Sequence, residues 1–305
     1  MTLVDRGVEA VEAASDQLAQ LDGRFLLAAL VLQLANLLCR ALVWRSVLVA
    51  AYPDREVRTA SVLGSYAAGS ALNAFIPARG GELAKLALIR TRIHGSTVST
   101  LAATLSVVLL LDALVGAVLL AALWSLGVAP IMIPSIGVWP VVAAVALVAA
   151  AGVVVWLRPR RLRDLMVHIA QGAAVLRKPS LYFRTVAPYQ VLGCACRIGV
   201  AFLVLSAFGI HAGLETAAVV VVFNGLSNVV PVPGGVGTQQ VLAAYALRGV
   251  APIAGAVSFS VGMQVGVTVV NTLVGLTALM LMMRTVRPLG ALRSGAGLAR
   301  SARAD

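Results

Sequence analysis

Apolar residues along this chain fall into long blocks with very few charges, divided by short segments that carry most of the charge. Five blocks stand out, at about 25–50, 97–124, 130–157, 183–208 and 252–283. Each exceeds the roughly 18 apolar residues that suffice to cross a bilayer. They do not alternate as barrel strands do, and in lipid a lone segment satisfies its backbone only as a helix. The pattern predicts an all-α, polytopic helical membrane protein with about five spans. Two shorter apolar stretches, 60–77 and 217–232, run into Pro and Gly.

Composition agrees: hydrophobic residues make up 60 % of the 305 and charged residues 12 %. Mean hydropathy is +0.95. The net charge of +12 raises the question of nucleic acid, but its distribution points to a membrane orientation, and no nucleic-acid partner is expected. Arg55, Arg58, Arg79, Lys85, Arg90 and Arg92 lie in 52–96. Arg158, Arg160, Arg161, Arg163, Arg177, Lys178 and Arg184 lie in 158–184, and Arg284, Arg287, Arg293, Arg300 and Arg303 follow 283. Such segments collect on the cytoplasmic side. The N-terminal segment, 125–139 and 209–251 are poor in cations and are expected outside. On the resulting path, 58–95 and 210–251 each begin and end on one side. Each must therefore be a re-entrant helical segment, broken as intramembrane helices are by Pro and Gly. The expected location is the plasma (inner) membrane, multi-pass, with a cytoplasmic C-terminus.

The two broken segments resemble each other. Pro77-Ala-Arg79-Gly80-Gly81 matches Pro231-Val-Pro233-Gly234-Gly235, and asparagines precede both turns (Asn73; Asn224 and Asn228). An amphipathic stretch (Val4, Val8, Val11, Leu18, Leu21) precedes span 25–50, and another (Leu162, Leu165, Met166, Ile169, Leu176) precedes span 183–208. The unit is thus span, interfacial helix, span, re-entrant loop, span. Three spans is an odd number, so the two copies are expected to be inverted, an architecture of alternating-access transporters. Residues 1–283 are read as one transmembrane domain, with repeat one at about 1–124 and repeat two at about 130–283. Residues 284–305 form a basic tail, expected to be disordered and cytoplasmic. Repeat one lacks a counterpart of span 130–157, so a first helix is expected to be missing. The first apolar run is too long for a signal peptide.

The candidate chemistry sits at the turns. Pro77 breaks a helix, and Gly80 and Gly81 permit a tight turn. Glu82 then opens the next helix, where a carboxylate suits the dipole. Asn73, Arg79, Glu82 and Lys85 form either a head-group or ion site, or a capped turn with snorkelling cations. At the second turn, Pro231, Pro233, Gly234, Gly235 and Gly237 break the chain. Asn224, Asn228, Gln239 and Gln240 supply amides there, either for an anionic ligand or for the broken helix itself. Two intramembrane charges, Asp112 and Arg197, are candidates for a mutual pair. Arg40 and Arg45 are expected to snorkel. Cys39, Cys194 and Cys196 lie inside spans and are read as structural. No metal, cofactor or catalytic constellation is expected.

These residues resemble the transmembrane region of lysylphosphatidylglycerol synthase, the flippase-like integral membrane protein family. The resemblance rests on Asn73…Pro77-Ala-Arg79-Gly80-Gly81-Glu82 and on Pro231-Val-Pro233-Gly234-Gly235-Val-Gly237, and covers nearly the whole chain. It differs in having Gln239-Gln240 where the family commonly has Arg-Glu, and apolar Val108 to Leu111 before Asp112, where the family often has Glu-Arg. The resemblance implies translocation of an anionic, aminoacylated or glycosylated lipid, with no enzyme activity of its own. The soluble aminoacyl transferase domain is expected to be lacking. A membrane lipid is the implied partner. One alternative is a membrane subunit that presents a lipid-linked substrate to a separate lipid-modifying transferase. An intramembrane lipid-modifying enzyme using Glu82 or Asp112 ranks last.

Overall fold

A computed structural model describes residues 22–73, 80–128, 171–177, 179–227 and 238–283. Among them every regular element is a helix. Helix α1 is Gly23–Ala51, α2 Thr59–Leu72, α3 Gly80–Arg90, α4 Val98–Ser125, α5 Pro179–Thr185, α6 Ala187–Ala207, α7 Leu214–Ser227, α8 Thr238–Ala246 and α9 Ile253–Met283. Four of these (α1, α4, α6 and α9) are long and apolar enough to cross a membrane. At 1.5 Å per residue the 29 residues of α1 reach about 43 Å, against a hydrocarbon core of about 30 Å. The expected span 130–157, the amphipathic stretch before α1, residues 162–170 of the second stretch and the tail 284–305 lie outside the described residues.

The fourth expected span, 183–208, needs correcting at its start. The helix breaks at Val186 into α5 and α6. Pro188 has no N–H to give the carbonyl four residues back, so the ladder is interrupted where the apolar pattern runs on.

Between the long helices lie two pairs of short ones. The 14 residues of α2 cover about 21 Å, too little to span, and α2 packs against α3. Helix α7, also 14 residues, packs likewise against the shorter α8. These are the two segments expected to be re-entrant.

The described residues divide into two compact units. Of the described residues, one unit holds 22–36, 116–128, 193–227 and 238–270, with the α7–α8 hairpin. The other holds 37–73, 80–115, 171–177, 179–192 and 271–283, with the α2–α3 hairpin. The core of the latter gathers Trp44, Val47, Leu48, Val62, Ile89, Leu101, Val175 and Val186, all essentially inaccessible. Trp44 Nε1 donates to Thr104 Oγ1 at 3.2 Å, which satisfies the indole inside an apolar core. Gln171 Nε2 donates to the Ala51 carbonyl at the end of α1 (3.0 Å). Arg92 donates to the Met282 carbonyl at the end of α9 (2.7 Å). Both serve carbonyls that a helix C-terminus leaves unpaired. Val261, Val265, Val269 and Leu273 form an exposed stripe on α9, the face that lipid tails would cover.

Candidate functional site

Helix α2 reads Thr-Ala-Ser-Val-Leu-Gly-Ser-Tyr-Ala-Ala-Gly-Ser-Ala-Leu. Small residues let helices approach backbone to backbone in a membrane, and both sides of α2 use them. A Cβ added at Gly69 would run into the Lys85 side chain and the Gly81 carbonyl, and one added at Gly81 would run into the Gly69 carbonyl and Asn73. On another side, Gly275 of α9 lies against Ala67 and Ala71. This close fit brings the end of α2 onto the start of α3.

There Asn73 closes the turn. Its Oδ1 accepts from the Gly81 N–H at 2.9 Å, taking up one of the N–H groups that the first turn of α3 leaves orphaned. Its Nδ2 donates to Glu82 Oε1 at 3.4 Å. Glu82 lies in the first turn of α3, as expected, and receives Lys85 Nζ on the same oxygen at 2.9 Å. The Lys85 side chain is only 5 % exposed and that of Glu82 28 %. The carboxylate therefore meets the surroundings while the ammonium supports it from beneath. Lys85 Nζ also stands 4.1 Å above the centre of the Tyr66 ring, a cation–π contact that a desolvated ammonium favours.

Tyr66 carries the network further. Its hydroxyl accepts from Arg40 Nε at 2.7 Å, and the same guanidinium donates to Asp112 Oδ2 at 2.6 Å. Four charged side chains from α1, α3 and α4 are thus joined through one tyrosine of α2. Among these four, two anions meet two cations, the condition under which intramembrane charge is tolerable. This corrects one expectation: Arg40 is an internal ion partner of Asp112 rather than a snorkelling side chain. The sequence could not decide this, because Arg40 and Asp112 lie 72 residues apart and only the packing of α1 on α4 makes them neighbours. Tyr66 was not foreseen at all; a lone tyrosine in an Ala/Gly/Ser helix was the available signal. Pro77 and Arg79, expected in this turn, lie outside the described residues.

At the second hairpin the described contacts with α9 are made by neutral groups. Asn224 Nδ2 faces Met263 Sδ at 4.0 Å, and Gln240 Nε2 donates to Gln264 Oε1 at 3.3 Å. Asn224 and Gln239 line a cavity of about 250 Å³ with Phe259, Ser260, Met263, Gln264, Val267 and Thr268 of α9. The expected amides Asn224, Gln239 and Gln240 thus come together. Asn228, Pro231, Pro233, Gly234, Gly235 and Gly237 lie outside the described residues. The α9 contribution went unread, although Ser260, Gln264 and Thr268 repeat at helical spacing in an apolar span. Arg197 lies on α6, in the unit that also holds this hairpin.

The family described as "Lysylphosphatidylglycerol synthase TM region" matches residues 8–275. No curated protein and no solved structure matches the chain.

Proposed function

The chain belongs to the lysylphosphatidylglycerol synthase TM-region family, and from that premise we propose that it is a flippase-like transporter moving an anionic lipid between leaflets. The family ties this multi-pass membrane domain to lipid modification or transport. The finer reading rests above all on the Glu82–Lys85 pair at the mouth of a hairpin too short to span. Intramembrane ionisable residues mark substrate pathways, and this pair leaves its carboxylate open to a polar cargo. Arg79, next to Gly80, would take the lipid phosphate, since a guanidinium matches phosphate bidentately. Glu82 would accept donors from the rest of the headgroup, and Lys85, buried beneath, would hold Glu82 in position. The cations that flank this hairpin (Arg55, Arg58, Arg90 and Arg92) favour entry from the cytoplasmic face of the plasma membrane, with the C-terminus on the same side. In this reading the protein carries a lipid and performs no covalent chemistry on it.

The test is translocation of fluorescent lipids in proteoliposomes, with wild type compared with Arg79→Ala and Glu82→Ala. Motif-dependent flipping is the expected result. A folded wild-type protein that moves no lipid would overturn the transporter reading and favour a subunit that serves a separate transferase. Normal flipping by Arg79→Ala would remove that residue from the site.

A further inference from the structure

The polar contacts between α1 and α4 change character from the middle of the helices to the end at Ala51. Deep in the pair stand the Arg40–Asp112 ion pair and the Trp44–Thr104 hydrogen bond, and Trp44 and Thr104 are completely buried. At the end a third segment, residues 171–175, joins the two helices. Thr97 Oγ1 donates to Thr100 Oγ1 at 2.9 Å, Thr100 Oγ1 to Gln171 Oε1 at 3.3 Å, and Gln171 Nε2 to the Ala51 carbonyl at 3.0 Å. One run of hydrogen bonds thus ties the start of α4 to the last turn of α1, and each donor in it polarises the next. Gly172 lets the segment lie this close. A Cβ there would come within 2.6 Å of the Ala103 Cβ and 3.1 Å of the Thr104 backbone nitrogen, on the turn of α4 that receives Trp44. Val175 then enters the core and is wholly inaccessible. Val175 is the anchor of this segment and Gln171 its clasp. The clasp uses neutral groups only, and water offers each of them an equivalent partner, so its net value is small. Parting the interior instead strips a guanidinium of its carboxylate. The end of the seam therefore opens at far lower cost than its middle.

We infer that residues 171–175 are a strap that closes the α1–α4 seam at the Ala51 end, and that its release admits water toward Trp44 and the Arg40–Asp112 pair. Its part in transport rests on the transporter reading above: there the released strap is the gate through which a polar headgroup reaches the charges of the first hairpin.

The test reads opening and transport separately on the full-length protein. Trp124→Phe, Trp139→Phe and Trp156→Phe together leave Trp44 as the one indole, and its quenching by acrylamide reports water access to the seam. Weak quenching is expected in this background. Gln171→Leu and Thr100→Val each cut the clasp and should raise the quenching constant about tenfold, the population change that one or two net hydrogen bonds produce. The double variant should exceed neither single one, since both cut the same run. Thr100→Ser keeps the hydroxyl and should stay near the background value. Thr100→Val, close in shape, guards against a Gln171→Leu protein that fails to fold. Unchanged quenching in folded Thr100→Val and Gln171→Leu would overturn the strap even if melting falls, because a purely structural clasp lowers stability without uncovering Trp44 below the melt. So would a Thr100→Ser protein quenched as strongly as Thr100→Val. In proteoliposomes Gln171→Leu should raise the flipping rate several-fold, and an uncovered Trp44 with unaltered flipping overturns the gating role. Clasp-dependent quenching in a protein that moves no lipid removes the transporter reading and leaves the strap standing. Flipping with quenching that ignores the clasp does the reverse.

Discussion

The two hairpins solve one backbone problem with opposite chemistry. In α2–α3 the turn region is braced by full charges: Glu82 on Lys85, and through Tyr66 the Arg40–Asp112 pair. In α7–α8, among the described residues, Asn224 faces a thioether of α9 and Gln240 an amide, beside a cavity that α9 also lines with hydroxyls. The backbones differ in the same sense. Gly69 and Gly81 lie against each other's helices with no room for a Cβ, whereas among the described residues nothing comes within 4 Å of a Cβ built at Gly225 of α7. A charged site needs a tightly fixed frame, since a pair that loosens leaves a bare ion in a poor solvent. A neutral site tolerates looser packing. The first hairpin therefore reads as the fixed charge reference of the molecule and the second as its adaptable pocket.

The comparison breaks most readily at Asp112. Asp112→Ala strands the Arg40 guanidinium and should cost about 3–5 kcal/mol, read as a fall in melting temperature in detergent. The double variant Arg40→Met/Asp112→Leu should recover most of it. If Asp112→Ala melts like wild type, the first hairpin is not held by its charges. Next comes Gly81→Ala, which forces the Gly69 and Gly81 backbones apart and should cost about 1–3 kcal/mol by the same melt. Tyr66→Phe keeps the ring under Lys85 and removes the acceptor for Arg40. A loss of about 1–2 kcal/mol is expected, near the value of one hydrogen bond to a charged group. Tyr66→Leu, which removes the ring as well, should cost more. The smallest effect has the opposite sign. Gly225→Ala should leave stability unchanged or raise it by up to about 1 kcal/mol, since a helical glycine gives way to alanine in free space. A destabilised Gly225→Ala protein would show that the second hairpin is packed as tightly as the first.

Much of the fold could be read directly. The spans expected at 25–50, 97–124 and 252–283 are found within a few residues as α1, α4 and α9, because a run of apolar residues in lipid has one backbone solution. The hairpins were visible as apolar stretches that charge placement would not let cross. The break at Val186 was hidden, since Pro188 sits in a run whose hydropathy does not change. Within the site, Asn73, Glu82 and Lys85 were legible because they crowd one turn. Arg40, Tyr66 and Gln264 were not. Their roles depend on which helices touch, and helices that are apolar all round give no sequence record of their neighbours.

Lys85 also has a practical consequence. Its ammonium is covered by Tyr66, held by Glu82 and almost closed to the surroundings, so amine-directed labels should pass it by while the hairpin stays shut. The chain carries one other lysine, Lys178, so a Lys178→Arg protein would leave Lys85 as the sole side-chain amine. Its labelling rate would then act as a clock for the opening of the first hairpin, readable by mass without attaching a probe.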